Sequence, residues 1–383
     1  MIMMGLRFTG EVPFSDVYIH SVIQAPDGRR MSKSLGTGID PLDEIERHGA
    51  DAVRFGLLAM SSSQDVRYSA EKVQQGQALA NKLFNAARFV LLRIASMNGS
   101  PTHPESPTHP IELEALAAAP RPAAVEDRWI LSRLQQVKAD TAARIEDYDF
   151  SHAALGLYDF VYGELCDWYL EIVKPRLATD GPATAREDRE ALAATLLHVL
   201  RETVALAHPV IPFVTEELWS YLDGSGELLA GSRYPVADAT LIDADAEIEL
   251  ERAIEAVTLV RGWRDSVSAP PGMLVRAAID ARGYEATAAI LARLAHLDLA
   301  PGAAQSVASI AVPCGSIEVL SGEGLDFAAA QRRRAAVRER LGGEIARAQA
   351  KLDNVSFVQK APAAVVEGER SKLARLRAEL EAL

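Results

Sequence analysis

Apolar positions in this chain recur with two different periods, and the changes of period mark its parts. Val17-Tyr18-Ile19-His20-Ser21-Val22-Ile23 is rich in β-branched and aromatic residues and predicts a buried strand. A stretch punctuated by Gly28, Gly36 and Gly38 follows, then two short helices, from Pro41 to Glu46 and from Asp51 to Met60. From Glu71 to Ile94 the spacing becomes helical, with Leu79, Leu83, Phe84, Ala87, Phe89, Val90, Leu91 and Ile94 as the expected core. Three more helices are predicted over Asp127 to Arg144, Ser151 to Pro175 and Arg186 to His208. The last closes at Pro209 and Pro212, and a new helix begins near Thr215, with Glu216 and Glu217 near its positive end.

The pattern shifts again after residue 240. A helix over Ile248 to Ser266 ends at Ala269-Pro270-Pro271-Gly272. Alternating strands over Met273 to Ile279 and Ser309 to Leu320 flank a helix from Tyr284 to Leu297, the makings of a small α/β unit. In the tail Val337, Leu341, Ile345, Ala348 and Leu352 follow seam spacing, as do Leu373, Leu376, Leu380 and Leu383. Pro362 is placed to start the second of these helices, so an antiparallel helical hairpin is predicted. The fold class is therefore mainly α, divided at 1–60, 61–240, 245–325 and 327–383. A lone strand with two short helices cannot by itself form a doubly wound sheet, which needs several parallel strands.

The most pointed chemistry lies at Arg30-Met31-Ser32-Lys33-Ser34. Glycines on both sides let such a loop close over a ligand. A lysine ammonium held against a triphosphate would stabilise the charge that develops as pyrophosphate departs. The serine hydroxyls and exposed N–H groups offer further donors to phosphate oxygens. Five residues alone also fit a solvated basic turn between a strand and a helix. Ser61 to Tyr68 reads as a capped turn in which Asp65 pairs with Arg67. His103 and His109 each precede a proline within a Ser-, Pro- and Thr-rich stretch from Asn98 to Pro110, which reads as a solvent loop and not a metal site.

At 383 residues the chain has room for several cores. Cys166 and Cys314 match neither zinc nor disulfide spacing, so no structural zinc is expected and a reducing cytoplasm is the default. The start Met1-Ile2-Met3-Met4-Gly5 is too short for a signal peptide, and no apolar run reaches membrane length. The net charge is −13, yet from Phe327 to Leu383 twelve Lys or Arg stand against seven Asp or Glu. A basic tail on an acidic body suits RNA phosphates, and it equally suits an ordinary charged coiled coil.

The loop resembles the KMSKS signature of class I aminoacyl-tRNA synthetases, with Arg30 where the first lysine usually stands. Ser34-Leu35-Gly36-Thr37-Gly38-Ile39-Asp40-Pro41-Leu42 and His48-Gly49-Ala50-Asp51-Ala52-Val53-Arg54-Phe55 resemble the valyl-tRNA synthetases, where asparagine is common in place of Thr37. Tyr162 to Glu171 and His208 to Trp219 are similar to the anticodon-binding helices of the valyl, isoleucyl and leucyl group. Asn354-Val355-Ser356-Phe357-Val358-Gln359-Lys360-Ala361-Pro362 resembles the turn of the valyl enzymes' C-terminal arm.

The resemblance implies four parts. These are the end of a Rossmann catalytic domain with the ATP loop, a helical anticodon-binding domain, a small α/β junction domain and a coiled-coil tRNA arm. It implies that Lys33 steadies the adenylation transition state, with Arg30, Met31, Ser32 and Ser34 around ATP and Mg2+ accompanying it. Arg332, Arg333, Arg334, Arg338 and Arg340 would meet tRNA phosphates, and the complete enzyme would be a monomer acting on valine, ATP and tRNA(Val). No His-x-Gly-His occurs in the sequence, and the family's editing domain has no counterpart here. The chain is thus expected to be a C-terminal piece that cannot activate valine alone. A free-standing, synthetase-derived tRNA-binding protein is the alternative.

Overall fold

The computed structural model describes residues 1–32, 36–60, 65–97, 120, 122–177, 186–222, 227–300, 306–321, 327–353 and 363–381. At 97, 186, 327–337, 363–367, 369, 378, 379 and 381 it describes backbone alone. The loop expected over Asn98 to Pro110, with His103 and His109, and the turn expected in the arm lie outside the described residues. The fold is mainly α and divides into two compact units, Met1–Leu250 and Glu251–Leu383.

The first unit opens with α1 (Ile2–Phe8) and a very short strand, β1 (Ile23–Gln24), paired in parallel with β2 (Val66–Arg67). Here the structure corrects the sequence reading. Val17 and Ile19 are 68% and 82% exposed, and Val22 is exposed as well. The β-branched run is competent for a sheet, but among the described residues only Val66–Arg67 pairs with it, and a strand buries its faces only between neighbours. Asp65 also departs from expectation. Its carboxylate accepts from Val22 N at 3.0 Å and Gln24 Nε2 at 3.5 Å, so it stitches the two strands and does not serve Arg67.

Helices α2 (Pro41–His48) and α3 (Ala50–Ala59) come next, α2 running past its predicted end and α3 starting and ending one residue before its predicted bounds. Asp40 caps α2 through Leu42 N, and Pro41 fills the first helical position, where a missing N–H costs nothing. The bundle is built from α4 (Ala70–Met97), α5 (Val125–Glu146), α6 (Phe150–Asp159), α7 (Arg186–Ala207) and α8 (Pro212–Leu222). Beyond Asp159, α6 continues as a π-helical stretch over Phe160–Leu170 and a last α turn over Glu171–Val173. Leu79, Leu83 and Ile94 from α4, Ile130 and Leu134 from α5, and Phe160 and Tyr169 from the π stretch form its fully buried heart. Two predicted core residues are not there. Phe84 is exposed, and Phe89 is half-buried beneath the Arg93 guanidinium, 5.6 Å from its ring centre.

Burying so many helices also buries charge. Arg176 Nη1 donates to Glu126 Oε1 and Asp127 Oδ2, both at 2.9 Å, and Nη2 donates to Asp188 Oδ1 at 2.7 Å. Tyr169 OH donates to Asp127 Oδ1 at 2.8 Å. Burial pushes the Asp127 carboxyl up from its ordinary value, while Arg176 and Tyr169 pull the other way. Burial likewise opposes the charge on Arg176, but its hydrogen bond to Asp188 and the nearby Asp127 and Glu126 raise its pKa above the ordinary value and keep it charged.

In the second unit β3 (Val275–Ala281), β4 (Leu297–Leu299), β5 (Ser306–Val312) and β6 (Gly315–Leu320) form a sheet in the order β4-β3-β6-β5. Two helices accompany it, α9 (Ala244–Ser266), within which the division between the units falls, and α10 (Ala288–Ala295). The single strand expected over Ser309 to Leu320 is in fact the hairpin β5–β6. Its reversal falls at Pro313-Cys314-Gly315, where Cys314 has φ +63° and Pro313 can give no ladder N–H. The expected helix from Tyr284 to Leu297 is shorter, because His296 turns left-handed (φ +53°) and the chain enters β4. The tail forms α11 (Phe327–Asp353) and α12 (Ala363–Glu381), packed together with Leu341, Ala348, Leu373 and Leu376 buried.

Candidate active site and nucleic-acid interface

The segment carrying the loop is built by two local devices. The first is a tight reversal just before it. Gly28 N donates to Ala25 O and Ala25 N to Arg29 O, each at 2.8 Å, with Gly28 at φ +83°, a conformation glycine adopts at no steric cost. Asp27 accepts from Arg29 N at 3.0 Å and Arg29 Nε at 2.7 Å; these bonds, the backbone one first, hold its carboxyl below the ordinary value.

The second device is Thr37. Its hydroxyl accepts from Ser32 N at 3.0 Å and donates to Arg30 O at 3.1 Å, while Thr37 N donates to Ser32 O at 3.2 Å. Three bonds therefore close the base of the loop across Arg30, Ser32 and Thr37. A threonine hydroxyl both donates and accepts, which suits it to this position. Arg30 is exposed there, and Met31 and Ser32 are half-buried. Lys33 and Ser34, the residues with most of the expected chemistry, lie outside the described residues.

The loop segment is tied to the bundle through α3. The buried Asp51 carboxylate accepts from Phe213 N at 3.0 Å and Val214 N at 2.7 Å, satisfying two orphan N–H groups at the start of α8. The sequence reading placed Glu216 and Glu217 in that electrostatic role. Glu216 instead accepts from Leu229 N at 2.8 Å, and Glu217 from Tyr221 OH at 2.8 Å. Arg54 Nη2 donates to Pro209 O at 3.0 Å, and Ser151 Oγ donates to Ala59 O at 3.0 Å. Helices α3 and α4 meet closely at two glycines. A Cβ on Gly76 would lie 2.7 Å from Phe55 Cβ, and one on Gly56 would lie 2.8 Å from Val73 Cγ2. Tyr68 ties the end of β2 to α2 by donating to Glu44 at 2.6 Å; burial first, then Glu44, pushes its hydroxyl up to about 12.

Asp51, Asp65 and Thr37 were not singled out as site residues from the sequence. Each acts on backbone groups, and for Asp51 those groups lie more than a hundred positions away, so spacing carried no signal. In the arm, Arg338 and Arg340 are exposed on α11, whereas the side chains of Arg332, Arg333 and Arg334 lie outside the described residues. Arg377 of α12 donates to Gln349 of α11 at 3.0 Å, a cross-link between the two helices. Among the described residues no group of three or more His, Cys, Asp or Glu is placed to hold a metal ion. Among them, too, no helix is long and apolar enough to cross a membrane.

Comparison with known proteins matches three family profiles along the chain. Residues 1–69 match tRNA synthetases class I (I, L, M and V), and residues 127–279 the anticodon-binding domain of tRNA ligase. Residues 326–383 match the valyl tRNA synthetase tRNA binding arm. A valine–tRNA ligase of Cereibacter sphaeroides is 36% identical over 384 residues, covering 97% of this chain and 37% of that protein. One from Bacillus cereus is 35% identical over 384 residues, covering 97% of this chain and 41% of its own length. Among solved structures, LeuRS from an Agrobacterium radiobacter K84 complex with tRNA and LeuAMS covers 61% of this chain and 25% of that one, at 24% identity and a TM-score of 0.46. The chain thus spans about two-fifths of the length of the curated relatives it matches. It belongs to the valyl-tRNA synthetase family of class I aminoacyl-tRNA synthetases.

Proposed function

We propose that this chain serves valine–tRNA ligation, the ATP-dependent attachment of valine to tRNA(Val), as the part that holds the tRNA and supplies the ATP loop. The observation that carries this reading is the run of 35–36% identity to valine–tRNA ligases over 97% of the chain, arm included. ATP enters as a substrate together with its Mg2+. Lys33 places its ammonium on the phosphates and stabilises the charge that grows as pyrophosphate leaves. Arg30 adds a second cation, and Ser32, Ser34 and the backbone beside Met31 offer hydrogen bonds. The three bonds at Thr37 fix the base from which the loop reaches the phosphates.

The helical bundle takes the anticodon end of the tRNA. The arm lies against its outer corner, with Arg332, Arg333, Arg334, Arg338 and Arg340 on phosphates that position the RNA without reading its sequence. The reading also carries the expectations of a monomer in the complete enzyme and of the cytoplasm as compartment. The sequence contains no His-x-Gly-His, and a lysine without an aligned partner constellation supplies little rate enhancement. This polypeptide alone therefore binds tRNA but does not activate valine. The same missing signature favours a second reading, a free-standing tRNA-binding protein without catalysis.

Two assays test this. Purified chain is expected to retain tRNA(Val) and to give no valine-dependent ATP–pyrophosphate exchange. Exchange above background would overturn the incompetence claim, and no tRNA retention at low salt would overturn both readings. If a second polypeptide carrying the rest of the catalytic domain restores activity, Lys33→Ala is expected to abolish it while sparing tRNA binding. Unchanged turnover would remove Lys33 from its role, and no restoration by any such polypeptide would leave the binding-protein reading in its place.

A further inference from the structure

Three aromatic rings meet where the bundle faces the segment that leads into the loop. Tyr18 stacks on Tyr148, with ring centres 5.3 Å apart and planes 20° from parallel. Phe150 meets both edge-on, at 5.6 Å from Tyr18 and 6.2 Å from Tyr148. These are the offset and T-shaped arrangements that aromatic quadrupoles prefer. All three residues belong to the first unit.

The backbone that presents Tyr148 is unusual for a tyrosine. Helix α5 ends in a double-bonded cap, with Asp149 N donating to Arg144 O at 2.7 Å and Tyr148 N to Ile145 O at 3.1 Å. That pattern requires a left-handed residue at the position after the cap, where glycine is usual. Tyr148 occupies it at φ +60°. Asp149 then caps α6 by accepting from His152 N at 3.4 Å. The corner itself therefore needs no ring, and glycine would suit its backbone better. A tyrosine held there at a conformational cost points to a use for its side chain.

We propose that Tyr148 is a positioning residue for the ATP loop, clamping through Tyr18 the segment that carries it. Residues flanking Tyr18 do not anchor the segment, since Val17 and Ile19 are among the most exposed apolar residues of the unit. The next attachments downstream are Asp65 on Val22 N, Val66 N on Val22 O at 3.2 Å and Tyr68 N on Gln24 O at 2.9 Å. The ring cluster lies upstream of all of these, so it sets where the chain enters the strand that leads to the loop. The proposal rests on the reading of residues 30–34 as the ATP loop.

The test is amide hydrogen exchange on the purified chain with Tyr148→Gly, Tyr148→Phe and Tyr18→Ala. Tyr148→Gly relieves the left-handed backbone, so the bundle is expected to melt no lower than the parent. Exchange at Val22, Val66 and Tyr68 is nonetheless expected to quicken about tenfold, the scale a stacked ring pair carries. Tyr18→Ala should produce the same local change, and Tyr148→Phe, which keeps the ring, should produce little. A residue that merely caps the helix would not move exchange at those amides. The proposal is overturned if Tyr148→Gly leaves them at the parent rate, or if Tyr148→Phe loosens them as much as glycine does. Loss of tRNA binding by the parent would strike the proposed function and leave this result standing. A flat exchange pattern would strike the clamp alone.

Discussion

Two regions of the first unit use similar residues to opposite effect. In the bundle even charges are enclosed, and Asp127, 1% exposed, is met by Arg176 and Tyr169. In the segment before the loop, β-branched and aromatic residues stand open, with Ile19 at 82% exposure. The difference lies in what each pattern needs. A helix closes its own backbone hydrogen bonds and asks its neighbours only for one apolar face. A strand needs partners on both edges as well as cover on its faces, and here the described residues supply only one two-residue strand and an isolated bridge from Gln24 to Arg30. The bundle is therefore specified from within, and the loop segment is held by a few named contacts.

The sharpest way to break that contrast is at Arg176. Arg176→Ala would leave Glu126 and Asp127 buried without their cation, and a loss of about 3–5 kcal/mol is expected in urea unfolding. A loss below about 1 kcal/mol would mean the network is solvated and the bundle is less self-contained than described. Next comes the joint between the regions. Gly76→Ala would bring a methyl to 2.8 Å from Ala52 O as well as against Phe55, and is expected to cost about 1–3 kcal/mol, read as a lower melting temperature. An unchanged melting temperature would show that α3 and α4 can part without penalty.

A smaller effect is expected at the cap that crosses the joint. Asp51→Ala removes both acceptors from the start of α8, for an expected loss of about 1–2 kcal/mol, with faster amide exchange at Phe213 and Val214 as its signature. Smallest of all is Ile19→Ser. Its side chain is already in water, so stability should change by no more than about 0.5 kcal/mol. A larger loss in the same unfolding assay would show that the segment is packed after all.

The helices were legible in the sequence because their apolar spacing is local. Glu71 to Ile94 predicted α4 to within a few residues, and the seam positions Leu341, Ala348, Leu373 and Leu376 are buried as the tail's spacing required. Of the strand read at Val17 to Ile23 only Ile23 lies in β1, and most of the run stands exposed, because strand formation and burial depend on contacts that spacing does not record. The hairpin β5–β6 was merged into one strand although Pro313-Cys314-Gly315 carried a turn signal. Of the candidate site, the loop was legible through its glycines and basic residues. Its supports were not, because Thr37, Asp51 and Asp65 act on backbone groups that only the folded chain brings near. The π-helical stretch Phe160–Leu170 left no distinct mark in a pattern read at helical period.

The measurement closest to the central claim is the affinity of the purified chain for a tRNA(Val) transcript across a salt series, beside a tRNA with a different anticodon. The account predicts binding that weakens steeply with salt, as phosphate contacts to the arm require, and that prefers tRNA(Val) through the bundle. Equal retention of both RNAs would remove the bundle's role and leave only the arm. No binding of either at low salt would contradict the account as a whole.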